Sequence, residues 1–224
     1  MKKVLVLYSC GGGSSMGYAQ AGFDVTGIDI IKKRDYPFNQ IKADCLEIVK
    51  DLDFLRTFDL IHASPPCQAN TITGNLAIAQ GRNKSKVCHI TPIRAALVAS
   101  GVPYVIENVA GAPLLDPLIL CGSMFGLKVK RHRLFESNLP LSLKLLKCNH
   151  KVNNWNIGHK GKPKPIGIYG TMNDRIPSGG WTATSIEEAR EAMGIDWLNW
   201  RDLTQALPPA YTKFLGSQVM GLIQ

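Results

Sequence analysis

The chain predicts an α/β fold built on a doubly wound parallel sheet, and three observations carry that prediction. Short, nearly all-apolar runs recur through the first two thirds of its 224 residues, as in strands buried on both faces. Helix signals separate these runs, so successive strands join through right-handed crossovers. A glycine turn and isolated acids fall at the strand ends, the side on which such sheets gather ligands.

In order, "VLVLYS" (4–9) is the first strand, and "GGGSSMGYAQAGF" is a glycine turn opening a helix that ends at Gly22. "DVTGIDI" (24–30) is a second strand ending in Asp29, and "FNQIKADC" (38–45) is a third. "LEIVKDLDFLR" is then a helix, "FDLIHAS" (58–64) the fourth strand, "ITPIRAALVASG" (90–101) a helix closed by glycine, and "VPYVIENV" (102–109) the fifth strand. "KVKRHRLFES" is a further, basic strand. From Pro140 to about Ser185 the chain is irregular and rich in Lys, Asn, Gly and Pro, as an insert without a strong core would be. Ser185 and Glu188 form a capping-box pattern before a short helix, and a terminal helix follows the Pro208-Pro209 pair. The expected organisation is a core over 1–136, an insert over 137–184 and returning helices over 185–224.

Composition narrows the function. Lys and Arg number 26 against 17 Asp and Glu, a net charge of +9, which points to an anionic partner. No apolar run is long enough for a membrane span. The opening "MKKVLVLYSCGGGSS" flows into a glycine turn, so it reads as a strand and not a signal peptide. Cys10, Cys45, Cys67, Cys88, Cys121 and Cys148 lack framework spacing, which implies reduced thiols; a cytoplasmic location and a monomer are the expectations for the chain. Cys148, His150 and His159 suggest zinc but lack a fourth ligand, so no metal is expected.

Four polar features fall beyond the strand ends: the glycine turn, Asp29, Cys67 and Glu107. A tight turn followed by an acid at the next strand end fits a nucleoside cofactor whose ribose hydroxyls the acid accepts. The turn lacks the Lys-Ser or Lys-Thr ending of a nucleotide-triphosphate loop. Taken singly, these features have plain structural roles. Cys67 could be a small buried hydrophobe, Glu107 a helix cap, and Arg131 and Arg133 a solvated edge strand.

Five stretches in order resemble the motifs of the cytosine-C5 DNA methyltransferases. They are "LYSCGGGSSMGYAQAGFDVTGIDI", "SPPCQ", "YVIENV" (104–109), "VKRHRLF" (129–135) and "TQALPPAYTKFLG" (204–216). The short length and the phrases "HASPPCQ" and "AMGIDW" are similar to bacteriophage-encoded members. The resemblance implies a Rossmann-like S-adenosylmethionine-dependent methyltransferase fold with a reduced recognition insert. It also implies methyl transfer from S-adenosylmethionine to cytosine C5 in duplex DNA, with the target base flipped out.

In that resemblance Cys67 is the nucleophile, Glu107 the donor toward N3, and Arg133, with Arg131 nearby, the support for O2. An apolar strand-end site favours the protonated carboxyl that Glu107 needs. The cofactor falls to Tyr8, Ser9, Cys10, Gly11, Gly12, Gly13, Asp29, Ile30, Asp44, Cys45 and Pro65, with Asp44 meeting the adenine amino group. Gln68, Arg82, Lys84, Lys86, Lys160 and Lys162 are the expected nucleic-acid contacts, and residues 67–88 form a loop closing on DNA. The chain departs from the family pattern at Cys10 (usually Gly), Val129 (usually Gln) and Gln205 (usually Asn). Two alternatives are a tRNA cytosine-C5 methyltransferase, since one branch of the family acts on tRNA, and a catalytically silent DNA-binding or decoy protein.

Overall fold

A computed structural model describes residues 1–66, 88–143, 146–150, 156–157, 163–174 and 181–223. Strands β1 (Lys3–Leu7), β2 (Asp24–Asp29), β3 (Asn39–Lys42), β4 (Leu60–Ala63) and β5 (Tyr104–Asn108) pair in parallel. Strands β6 (Leu118–Leu120) and β7 (Arg133–Ser137) complete one seven-stranded sheet in the order β3-β2-β1-β4-β5-β7-β6. Both join antiparallel, β7 on β5 and β6 on β7, so the sheet is mixed rather than wholly parallel. Strands β8 (Asn156–Ile157) and β9 (Pro163–Lys164) form a separate antiparallel pair.

The alternation within β1 shows why the sheet is covered on both faces. Val4 and Val6 pack with Tyr18, Phe23, Tyr211, Leu215 and Val219, under helices α1 (Gly13–Gln20) and α7 (Pro209–Leu222). Leu5 and Leu7 pack on the other face with Leu55, Ile93 and Leu97, under α2 (Cys45–Ile48), α3 (Leu52–Leu55) and α4 (Ile90–Ser100). Side chains alternate across a strand, so a continuous apolar run feeds two cores. Helices α1 and α7 approach closely because Gly17 has no side chain: a Cβ there would lie 2.1 Å from the Pro209 carbonyl oxygen. Thr212 Oγ1 uses that closeness to donate to the Ser14 carbonyl at 2.8 Å.

Several elements differ from their sequence reading, each for a local reason. The first strand stops at Leu7 because Tyr8 turns to φ 58°. The expected helix after residue 45 is two short helices, because Asp51 accepts from Phe54 N and starts a second one. The basic strand begins only at Arg133, since Arg131 (φ 33°) breaks the extended backbone. An ion pair fixes β7 against α4: buried Glu136 takes Arg94 Nε and Nη2, both at 2.7 Å, and also Leu115 N at 2.8 Å.

Helix α5 (Ile186–Met193) has the predicted Ser185 cap on Glu188 N, but Glu188 reaches back to Thr184 N and Oγ1, one residue before the usual partner. It is followed by α6 (Trp200–Gln205). Ile166, Ile168 and Ala183 share a small core with Ala189, Met193, Leu198 and Leu203, so the end of the irregular stretch packs on these helices. No helix among the described residues is long and apolar enough to cross a membrane.

Candidate active site

A cavity of about 410 Å³ opens beyond the carboxyl ends of β1, β2, β4 and β5. Its wall includes Tyr8, Ser9, Cys10, Gly11 and Gly13 after β1, Asp29 and Ile30 after β2, and Asp44 and Cys45 at the start of α2. Ser64, Pro65 and Pro66 after β4, Glu107, Asn108 and Val109 of "ENV", Arg133 on β7 and Gln205 to Leu207 before α7 complete it with His89 and Ser14. Strand and turn order therefore bring residues from both ends of the chain to one place.

The turn after β1 is held in an uncommon shape. Tyr8, Cys10 and Gly12 have φ of 58°, 47° and 88°, in the left-handed region. Glycine enters it freely, whereas other residues lose about 1–2 kcal/mol. Cys10, standing at the usual first glycine, takes this conformation because its surroundings hold it. Its N–H donates to Asp29 Oδ2 at 2.9 Å, and Ser9 N donates to Ile28 O at 3.0 Å. Trp197 Nε1 donates to Gly11 O at 2.9 Å, so this tryptophan anchors the turn as well as packing. Gly12 is the N-cap of α1 and is not part of the cavity wall.

Asp29 takes Cys10 N on one oxygen and Ile31 N, at 3.0 Å, on the other. Each carboxylate oxygen has a second lone pair, so the side chain shapes the turn and retains acceptor capacity toward the cavity. Asp44 caps α2 through Leu46 N at 2.8 Å while its residue lines the same wall. Burial pushes the Cys45 thiol up to about 12, and burial likewise raises Cys10. Burial thus disfavours the thiolate at both positions.

On the opposite wall Glu107 Oε1 meets Arg133 Nε at 3.1 Å. Arg133 also donates from Nη1 to His132 O at 2.9 Å. Asn108 Nδ2 donates to Pro65 O at 3.1 Å, so the asparagine of "ENV" fixes the backbone just before Cys67. Arg131, expected near Arg133, does not line this cavity. Its guanidinium turns away from the cavity and clamps Ile168 O (3.3 Å) and Thr204 O (2.8 Å), joining β7 to the irregular stretch and α6. It positions the segment that carries Arg133. Cys67, Gln68, Arg82, Lys84, Lys86, Lys160 and Lys162 lie outside the described residues.

A buried histidine supports the Ser64–Pro66 rim of the cavity, and sequence reasoning missed it. His62 on β4 is fully buried, with Tyr18 Oη on Nδ1 at 3.0 Å and Ser64 Oγ on Nε2 at 2.9 Å. Ser64 opens the Pro65-Pro66 segment, so the chain Tyr18–His62–Ser64 ties the cavity rim to the core. Burial pushes His62 down to about 3. The unfolded chain takes up a proton near pH 6.5 that the folded chain refuses, so stability is lost as pH falls between these values. The expected contribution is roughly 1.4 kcal/mol per pH unit. Urea midpoints at pH 7, 6 and 5 check this: His62→Asn should show a shallower acid loss, and an equal slope would show that His62 does not carry it. Only the apolar context of "FDLIHAS" could have signalled this histidine.

No protein-family model matches the chain, and no curated protein does at a significant level. Solved structures do match across the full length. A prophage-encoded protein of E. coli, assigned as a DNA modification methyltransferase, superposes with a TM-score of 0.60 at 15% identity, over 99% of both chains. A mutant of Spodoptera frugiperda DNMT2 gives 0.60 at 15% identity, over 100% of this chain and 99% of that one. The S. pombe Dnmt2 methyltransferase gives 0.58 at 15% identity, over all of both chains. The chain therefore has the Rossmann-like fold of the methyltransferases.

Proposed function

We propose that the chain methylates C5 of cytosine in duplex DNA, with S-adenosylmethionine as donor and Cys67 as covalent nucleophile. What supports this most is convergence on one cavity: the turn and Asp29 on one side, Glu107, Arg133 and the Pro65-Pro66 lead into Cys67 on the other. The anionic substrate agrees with the net charge of +9. The prophage-encoded neighbour, a candidate for DNA modification matched end to end, is in keeping with DNA as that substrate.

The wall suits an adenosine-bearing cofactor. Asp29 offers an acceptor for ribose hydroxyls, and Ile30, 64% exposed, presents an apolar face on which a base can lie. When bound, the sulfonium supplies an electrophilic methyl group. The chain's own residues make cytosine able to use it. The Cys67 thiolate forms a bond to C6, and the C5–C6 π pair shifts toward N3 and O2. Glu107 donates a proton at N3, and Arg133 supports the charge at O2. Glu107 and Arg133 face each other before the base arrives. Binding must redistribute that pair, with Glu107 taking a proton and the guanidinium turning to O2. C5 of the resulting enamine attacks the methyl carbon, and the carbon–carbon bond forms as the methyl–sulfur bond breaks and the donor leaves as a neutral thioether. Loss of the C5 proton to water restores the C5–C6 double bond and expels the Cys67 thiolate, and the N3 proton returns to the Glu107 carboxylate.

The direct test is transfer of labelled methyl groups to duplex DNA and to tRNA in parallel. Incorporation as 5-methylcytosine in DNA is expected. Incorporation confined to tRNA moves the same chemistry to another polymer, and none in either would overturn the reading. Asp29→Ala should raise the Kd for S-adenosylmethionine, losing ~1.5–3 kcal/mol for a charge-assisted hydrogen bond. Titration calorimetry showing an unchanged Kd would restrict Asp29 to holding the turn.

A further inference from the structure

Away from the cavity, four side chains that sequence spacing did not connect come together. Cys121 follows β6, His132 precedes β7, and Cys148 and His150 lie in the irregular stretch. Their ligand atoms all lie within 4.8 Å of one another. Cys121 Sγ is 3.5 Å from His150 Nε2, His132 Nε2 is 3.2 Å from Cys148 Sγ, and Cys148 Sγ is 2.7 Å from His150 Nε2. We propose that Cys121, His132, Cys148 and His150 form a Cys2His2 site for a structural zinc ion.

The geometry and chemistry favour a metal over a cluster of hydrogen bonds or a disulfide. Zinc bonds of about 2.3 Å to sulfur and 2.0–2.1 Å to nitrogen put tetrahedral ligand atoms about 3.3–3.8 Å apart. All three contacts are sulfur–nitrogen pairs, for which the spacing is about 3.5–3.6 Å: Cys121–His150 has it, and the other two, shorter by about 0.3 and 0.8 Å, would open around an ion. A disulfide would explain two sulfurs but not two imidazoles that both turn Nε2 toward them. Two thiolates and two neutral imidazoles balance a divalent ion, so the half-sheltered site would carry no net charge. Ser123 Oγ donates to Cys121 Sγ at 3.2 Å and Cys148 Sγ at 3.8 Å, as groups around thiolate ligands do. Nitrogen and sulfur donors in a four-ligand closed set select zinc and leave no open position for catalysis.

The site would supply what the irregular stretch lacks. Residues 146–150 hold exposed polar side chains and little core. An ion would tie them to β6 and to the segment between Arg131 and Arg133. Metal binding would thus be folding energy for this corner of the molecule. The sequence reading paired Cys148 and His150 with His159 and stopped for want of a fourth ligand; the fold supplies Cys121 and His132.

The test uses the full chain purified under reducing conditions. Elemental mass spectrometry should find about one zinc per chain, and Cys148→Ser should lose it while Cys88→Ser, outside the cluster, retains it. Cysteine 148 is exposed, so its loss leaves the sheet intact, checked by circular dichroism. Cobalt(II) added to reduced, chelator-treated wild type should give the visible bands and thiolate charge transfer of a tetrahedral site. Chelation of the loaded protein should lower its Tm. Wild type with no bound zinc and no tetrahedral cobalt spectrum would overturn the proposal. So would equal metal content in Cys148→Ser, or an intact mass showing a Cys121–Cys148 disulfide.

Discussion

Cys67→Ser should abolish methyl transfer, by on the order of 10⁴-fold or more, while DNA and cofactor binding stay near wild type. A serine hydroxyl is far less ionised than a thiol at neutral pH, so the S–C6 bond that makes C5 nucleophilic cannot form at a useful rate. The other cysteines on the cavity wall are poor substitutes, since burial raises both Cys10 and Cys45 and disfavours their thiolates. Duplex DNA with 5-fluorocytosine at the target should trap wild type, because fluorine does not leave as a proton does. The trapped species is read as a denaturation-resistant band that requires the cofactor. Normal turnover by the serine variant would remove covalent catalysis from the mechanism.

Glu107→Ala is expected to cost about 10²–10⁴-fold in single-turnover rate, the usual range for a positioned acid. The electrons displaced at C6 collect at N3, and without a donor there the addition step runs uphill. Glu107→Gln should retain more activity than alanine, because an amide N–H can still hydrogen-bond N3 without transferring a proton. Both variants also deprive Arg133 of its partner at 3.1 Å, so circular dichroism and cofactor Kd serve as controls for folding. An alanine variant within a few-fold of wild type would leave Glu107 as a purely structural partner of Arg133.

Apolar runs made the parallel half of the fold legible, because β1 to β5 are each bounded by turns that periodicity can find. The antiparallel edge was legible only in part, since β7 lies within the basic strand read over 128–137 but its start and β6 were not found. β6 is three residues long, and β7 begins after a backbone reversal at Arg131 that its basic composition does not announce. The same reversal explains why Arg131 and Arg133, two positions apart and expected on one surface, do different things. Arg133 faces Glu107, while Arg131 reaches Ile168 O and Thr204 O.

By itself the sequence determined the α/β class and marked Asp29 and Glu107, near strand ends, as candidates that the cavity wall includes. Those follow from local facts: period, turn residues and the chemistry of side chains near strand ends. Only the tertiary structure decided which distant groups meet. It set Asn108 on Pro65 O, Trp197 on Gly11 O, His62 beneath Ser64, and two cysteines with two histidines at one corner. Each contact joins residues whose separation along the chain carries no signal. Proximity there is set by sheet order and by two cores packing on opposite faces, which no short stretch encodes.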